Sequence, residues 1–114
     1  MVRRSVLAAL GMVLVAVPSA RAQNKAQTDR GAKVYAESKC SVCHSIGDQG
    51  NKKGPLDAVG SKLTADEIRQ WIVNSKEMTE KTKADRKPVM KAFPNLPKED
   101  LDALVAYLST LKKK

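Results

Sequence analysis

The sequence predicts an all-α protein with one small folded domain, three main helices and long loops between them. Two observations support this fold class. Apolar residues recur at helical spacing in three segments, and no run alternates strongly enough between apolar and polar residues to predict a strand. The two inter-helix loops, each of about 20 residues, are unusually long for a compact domain. Loops of this length are expected to wrap around something larger than a side chain.

The first helix is predicted to run from Asp29 to Ser38, with Thr28 or Asp29 as its N-cap. Gly31 lies one turn before Tyr35 on this helix. Because a glycine lowers helix stability, we expect Gly31 to allow another helix to approach closely.

The second helix has the clearest start signal in the chain. Thr64 and Glu67 have the spacing of a capping box, in which each side chain accepts a hydrogen bond from the backbone N–H of the other residue. Three apolar residues then share one helical face: Ile68, Trp71 and Ile72. The helix is expected to end at Asn74 and Ser75.

The third helix is predicted to run from Pro97 or Lys98 to Leu111. Proline suits the first turn of a helix, and Glu99 and Asp100 are favourable near the positive end of the helix dipole. An apolar stripe at spacings of three and four residues marks its buried face. The stripe consists of Leu101, Leu104, Val105, Leu108 and Leu111.

Directly after the first helix, the segment Cys40–His44 has the pattern C-x-x-C-H, the attachment signal of a c-type haem. Two thiols at this spacing lie on one side of a turn, so each can form a thioether to the porphyrin edge. The next residue is held under the macrocycle, where an imidazole reaches the iron. The chain has no other cysteine or histidine. One haem c, bound through Cys40 and Cys43 with His44 as proximal ligand, is therefore predicted.

Two other interpretations of the motif are a thioredoxin-like dithiol and half of a zinc site. The dithiol usually accompanies a βαβ pattern, and the sequence has none. Tetrahedral zinc needs four ligands, whereas the chain has three Cys and His residues in total. Haem attachment is the preferred interpretation.

The first 22 residues are predicted to be a secretory signal peptide. Two arginines precede an uncharged apolar run, Val6–Val17, and Ala20–Ala22 is an A-x-A cleavage site. The run is shorter than the about 20 residues that span a bilayer, so we expect no stable membrane anchor after cleavage. We expect a periplasmic protein whose folded domain comprises residues 23–114.

The distal iron ligand is predicted to be Met90, since the chain has no second histidine. Met90 lies in the irregular segment Lys87–Pro94, which can present a thioether to the far face of the iron. Met78 follows the second helix among charged residues and is expected to face solvent. Met78, a lysine or an open coordination position remain alternatives.

The proximal imidazole needs an acceptor for its Nδ1–H, which sets the tautomer and the plane of the ring. A proline carbonyl in a nearby loop would serve. The segment Gly54–Leu56 is within reach by sequence, and Pro55 is the candidate acceptor.

The chain resembles the small bacterial class I cytochromes c over nearly all of residues 23–114. The residues that carry the resemblance are Gly31, Tyr35, Cys40, Cys43, His44, Gly54, Pro55, Leu56, Trp71, Met90, Phe93, Pro94, Leu104, Tyr107 and Leu108. The resemblance implies a cytochrome c fold wrapped around the haem. It also implies that Gly31 and Tyr35 cross the last helix near Leu104 and Tyr107.

The resemblance implies a role for each matching residue of the haem site. Pro55 would accept from His44, Leu56 would line the haem, Trp71 would lie against it, and Met90 would be the distal ligand. The chain departs from the family at Lys91, where many members have proline. The stretch between Trp71 and Met90 is also fairly long.

The chain is basic, with 21 Lys and Arg, 12 Asp and Glu, and a formal net charge of +9. Nucleic acid is a poor explanation, because the protein is expected to be exported and most of its basic residues are lysines. Redox partner proteins with an acidic docking surface are expected, since such charge steers encounter. A generic lysine-rich surface is the alternative.

These observations predict a monomeric one-electron carrier with His/Met-ligated haem iron, and not an enzyme. Met/His ligation raises the reduction potential, and six-coordinate iron has no vacant position for a substrate. Two alternatives remain open. One is the haem subunit of a periplasmic dehydrogenase, and the other is a pentacoordinate haem protein that binds a small ligand or handles peroxide.

Overall fold

The structure is a computed structural model that describes residues 11–14 and 20–114. The described residues form five helices, a 3₁₀ turn and a small antiparallel hairpin. The helices are α1 (Ala20–Glu37), α2 (Val59–Lys62), α3 (Ala65–Val73), α4 (Ser75–Thr82) and α5 (Lys98–Ser109). The 3₁₀ turn is Cys40–Val42, and the hairpin pairs β1 (Ser45–Ile46) with β2 (Gln49–Gly50). The prediction of an all-α fold is confirmed.

Three short elements lie in segments that the sequence predicts to be loops. The hairpin strands have two residues each and α2 has four, too few for a recognisable period. Half of the residues of α4 are charged, and its buried residues, Ser75 and Met78, are three positions apart. Because its other residues are charged or threonine, the sequence has no apolar stripe at this helix.

The predicted start of the first helix is wrong. α1 begins at Ala20, so Thr28 and Asp29 lie inside the helix and neither is the N-cap. Lys25, in this extra length, forms an i,i+4 ion pair of 2.8 Å with Asp29. The predicted end is close to that observed, since Glu37 is the last helical residue.

Most of the predicted signal peptide lies outside the described residues. Of that segment the structure describes residues 11–14, which have no regular secondary structure and exposed side chains, and the backbone of residues 20–22, which belongs to α1. No helix in the described part of the chain is long and apolar enough to cross a membrane.

The predicted starts of the other two main helices are confirmed. The Thr64 N–H donates to Glu67 Oε1 at 3.0 Å, and the Glu67 N–H donates to Thr64 Oγ1 at 3.2 Å. The capping box is therefore complete at the start of α3, which ends before Asn74 as predicted. α5 begins at Lys98 with Pro97 as its N-cap residue.

The core forms where α1 crosses α5, as the resemblance implies. A Cβ on Gly31 would collide with the Ala103 carbonyl and the Tyr107 side chain, so the glycine permits this close approach. The rings of Tyr35 and Tyr107 meet edge to face with centroids 6.0 Å apart. The buried core consists of Val34, Tyr35, Ile68, Ile72, Leu104, Val105 and Leu108. α3 completes this core and thereby places Trp71 beside it.

Candidate haem-binding cavity

The 3₁₀ turn after α1 brings the two cysteines to one side of the chain. Two residues after the end of α1, Lys39 adopts a left-handed conformation with φ of 58°, so the helix cannot continue into the motif. The Cys40 carbonyl then accepts from the N–H of Cys43 at 3.2 Å and from the N–H of His44 at 2.9 Å. Both thiols and the imidazole are half-buried and line the same cavity.

This cavity has a volume of about 310 Å³ and is lined mostly by apolar side chains. Three other predicted site residues line it together with Cys40, Cys43 and His44 of the motif: Leu56, Trp71 and Met90. The other apolar lining comes from Tyr35, Val59, Leu63, Ile68, Ile72, Ala84, Pro88, Val89, Phe93, Leu104 and Leu108. The long loops and the three main helices therefore enclose one apolar space.

His44 is held by the Gly54 carbonyl, which lies 3.0 Å from its Nδ1 atom. A carbonyl can only accept, so this contact places the proton on Nδ1 and leaves a lone pair on Nε2. The imidazole is therefore prepared to bind a metal through Nε2.

The prediction that Pro55 accepts from His44 is wrong, because the acceptor is the preceding residue. Ser45 pairs with this loop in parallel: its N–H donates to the Gly54 carbonyl at 3.1 Å, and its carbonyl accepts from the Leu56 N–H at 2.8 Å. This pairing directs the Gly54 carbonyl towards His44. Pro55 is exposed and does not line the cavity, whereas Leu56 does.

Burial shifts the pKa of two groups in the cavity. It lowers the pKa of His44, with a smaller contribution from the nearby Arg86 charge, while the bond to Gly54 acts in the opposite direction. The neutral imidazole, which is the form that binds metals, is thus favoured. Burial also raises the pKa of the Cys40 thiol to about 11. A reactive dithiol needs a lowered thiol pKa, so this environment disfavours the thioredoxin-like interpretation.

The two methionines of the folded domain occupy different places. Met90 lines the cavity, and Met78 does not. The expectation that Met78 faces solvent is wrong, since it is 8% exposed. Its charged sequence neighbours lie on the other faces of α4, because residues one and two positions apart on a helix point in different directions.

Three residues at or beside the cavity make contacts that the sequence does not predict. Gly54 accepts from His44, Arg86 donates to the Cys43 carbonyl at 2.6 Å, and Ser75 donates to the Met90 carbonyl at 2.7 Å. For Gly54, the Gly54-Pro55 pair in the sequence indicates the correct loop but not the correct carbonyl. Arg86 and Ser75 had no signal, because their partners are 43 and 15 residues away.

The donor set of the cavity fits a covalently attached haem. Two thiols, an imidazole with a free Nε2 and a thioether converge on a mostly apolar space. Thiols form the covalent links, and imidazole and thioether are the iron ligands found together in cytochromes c. The apolar lining suits a porphyrin ring, which a metal ion alone would not require.

The cytochrome c family profile matches residues 28–112, which include every residue named at the cavity. The chain belongs to the cytochrome c family. It is a class I c-type cytochrome with the all-α cytochrome c fold, and the members of this family are haem-binding electron carriers. The family's cofactor is covalently bound haem c, and Cys40 and Cys43 have the attachment spacing.

One curated relative of this cytochrome is named cytochrome c oxidase subunit 2, from Alkalihalophilus pseudofirmus. It is 33% identical over 89 residues, which cover 74% of this chain and 25% of the relative. This cytochrome thus spans about a quarter of that protein's length. No solved structure matches the chain significantly.

Proposed function

We propose that this cytochrome is a periplasmic one-electron carrier with a single haem c. Thioethers to Cys40 and Cys43 hold the haem, and His44 and Met90 ligate its iron. One observation carries the proposal: the only histidine of the chain, both of its cysteines and Met90 line the same apolar cavity. When bound, the haem supplies a one-electron ferric–ferrous couple.

Each residue of the site has a distinct task in this proposal. The thiols fix the porphyrin edge, so the group stays in place throughout every redox cycle. The Gly54 carbonyl lies 3.0 Å from Nδ1 of His44 and holds the tautomer whose Nε2 is free to bind the metal. The apolar lining excludes water and disfavours the more highly charged ferric form. Together with thioether ligation, this raises the reduction potential.

Met90 is the better candidate for the distal ligand on the basis of its location. It lines the cavity that also contains His44, whereas the buried Met78 does not. With His44 and Met90 both as ligands, the iron would have no position left for a substrate, which favours electron transfer over catalysis.

The periplasmic location is supported by the sequence at the N-terminus. Residues 1–22 have the basic start, apolar run and A-x-A site of a secretory signal. Export of an unfolded chain also suits attachment of haem outside the cytoplasm. The proposed mature protein comprises residues 23–114.

Docking of an acidic partner protein is supported by the cations around the cavity. Five lysines lie in the flanking loops and are exposed: Lys52, Lys53, Lys83, Lys87 and Lys91. We refer to them as the loop lysines. No ion pair engages any of them within the described part of the chain. Their charge is therefore available to steer an acidic redox partner.

A second candidate is a haem domain or subunit that works inside a larger electron-transfer complex. The relative named as an oxidase subunit favours it, because this cytochrome aligns with a quarter of that protein. Purification from native cells distinguishes the two functions. A free carrier is recovered alone from the periplasm, whereas a subunit is recovered with its partner.

The distal ligand is tested by optical spectra of the exported holoprotein and of Met90→Ala. We expect a Met–ferric charge-transfer band in the wild type and its loss in Met90→Ala. Met78→Ala is the matched control, since it removes a buried methionine that does not line the cavity, and it should keep the band.

Carbon monoxide binding to the ferrous protein provides the complementary test. Met90 should keep binding slow and weak in the wild type, and Met90→Ala should bind rapidly. A Met90→Ala spectrum identical to that of the wild type, or rapid binding by the wild type, would contradict the proposed ligand. Rapid wild-type binding would favour the pentacoordinate alternative.

A further inference from the structure

The segment that carries Met90 has few attachments to the rest of the protein. Within the described part of the chain, residues 85–92 make two hydrogen bonds to other segments, and both use a side chain. One is the Arg86 bond to Cys43. The other joins the Ser75 hydroxyl to the Met90 carbonyl at 2.7 Å. A segment with so few bonds opens locally at low free-energy cost unless those bonds hold it.

Ser75 is built into the rigid part of the molecule. It is 1% exposed and is the first residue of α4, directly after the Asn74 junction with α3. Its hydroxyl does not cap its own helix but reaches a residue 15 positions away. Three residues after Met90, the Phe93 N–H donates to the Ile72 carbonyl of α3 at 2.7 Å. The end of α3 and the start of α4 therefore hold Met90 and the chain just after it at two nearby points.

We propose that Ser75 is a positioning residue for Met90. This inference rests on the proposed function, in which the Met90 thioether is the distal ligand. The Ser75 hydroxyl fixes the Met90 carbonyl, and so it fixes the backbone from which the thioether enters the cavity. Without the hydroxyl the carbonyl loses this donor, and the backbone at Met90 gains freedom that the ligand bond must then overcome.

The expected effect is a weaker bond from Met90 and not merely a less stable fold. An added imidazole must displace Met90 to reach ferric iron, so its apparent affinity rises by the factor by which the Met90 bond weakens. Loss of one buried hydrogen bond corresponds to a factor of up to about ten.

The test is an imidazole titration of the ferric holoprotein for the wild type, Ser75→Ala and Ser109→Ala. Ser109 is the matched control, because its hydroxyl also donates a 2.7 Å bond to a backbone carbonyl, that of Val105, and it does not line the cavity. We expect Ser75→Ala to bind imidazole about tenfold more tightly and to lose part of the Met–ferric band. Ser109→Ala should match the wild type in both, although its thermal stability also falls.

Equal imidazole affinity in Ser75→Ala and the wild type would overturn the role of Ser75 while leaving Met90 as ligand. A wild-type protein without the Met–ferric band would overturn the ligand and this inference together, so the two failures are distinguishable. If Ser75→Ala does not fold, Ser75→Gly removes the same hydroxyl and is titrated in its place against the same expectation. Ser75→Thr keeps the hydroxyl and should keep the wild-type affinity.

Discussion

The Arg86 guanidinium donates a 2.6 Å hydrogen bond to the carbonyl oxygen of Cys43. The bond joins the segment before Met90 to the attachment turn. The same guanidinium packs against Gly54, where a Cβ would collide with it. Because Gly54 accepts from His44, one arginine contacts both loops that hold the proposed proximal side of the haem.

Replacing Arg86 should lower the reduction potential. The positive charge beside His44 disfavours the more positive ferric state, so Arg86→Gln should favour that state. Arg86→Lys keeps the charge and should lower the potential less. Both variants lose the guanidinium bond, at a cost of about 1 kcal/mol in the free energy of unfolding.

Redox titration measures these potentials, and denaturant unfolding measures the stability. Lys81→Gln is the control, because it removes an exposed charge from α4 that does not line the cavity. It should leave the potential near that of the wild type. Equal potentials in Arg86→Gln and the wild type would exclude an electrostatic role for Arg86.

Gly31→Ala should destabilise the fold by about 3 kcal/mol through overpacking. The added Cβ would collide with the Ala103 carbonyl, which is backbone and cannot turn aside. α1 and α5 must therefore separate, which also disturbs the contact between Tyr35 and Tyr107. Urea unfolding of the holoprotein measures the loss.

Gly47→Ala is the control for this effect. Nothing lies within 4 Å of a Cβ at Gly47, so its cost comes only from its φ of +58° and should be about 1 kcal/mol. Equal losses in the two variants would show that the helix crossing tolerates a methyl group.

Asp102 should contribute stability that disappears in acid. Hydrogen bonds from Arg69 of α3 and from Lys98 lower the pKa of this carboxyl below its ordinary value of 3.8. A lowered folded-state pKa means that the stabilisation is fully present above the unfolded-state pKa and is lost as the pH falls through the folded-state pKa. The loss is therefore expected below about pH 4.

Asp102→Asn should be less stable than the wild type at pH 7, with a difference that shrinks towards pH 3. Urea unfolding at the two pH values measures this difference. Asp48→Asn, at an exposed turn position, is the control and should have the stability of the wild type at both pH values. A difference for Asp102→Asn that stays constant with pH would exclude the ionic contribution.

Electron transfer to an acidic partner should slow with added salt if the loop lysines form the docking surface. The double variant Lys87→Gln/Lys91→Gln should react more slowly at low ionic strength and with a weaker salt dependence. Stopped-flow kinetics with an acidic redox protein measure both. Lys33→Gln removes a charge on α1 that is paired with Glu37, and it should have little effect. A flat salt response of the wild type would contradict docking through these lysines.

Much of the fold was predictable because its signals are local. The capping box at Thr64 and the apolar stripe of α5 each lie within a few residues, where helical geometry converts spacing directly into contacts. The start of α1 was missed because polar helices carry no apolar stripe. α4 was missed because its burial depends on two residues, Ser75 and Met78.

The candidate site likewise has a part that local spacing predicts and a part that depends on tertiary packing. Cys40, Cys43 and His44 lie within five consecutive positions of one turn, so their convergence follows from their spacing. The sequence predicts Pro55 as the acceptor for His44, one residue after the observed Gly54. The choice between these two carbonyls depends on how the loop pairs with Ser45. The burial of Met78 likewise depends on how α4 packs against the rest of the protein, and its charged sequence neighbours do not indicate this.

The sequence by itself determined the family, the attachment motif and the starts of the second and third predicted helices, because these depend on residue identity and short-range spacing. Only the tertiary structure decided which methionine lines the cavity, which carbonyl holds His44, and that Ser75 and Arg86 hold the Met90 segment. Those contacts join residues far apart in the chain. They arise when loops pack against helices, and no local pattern of residues encodes which loop atoms then meet.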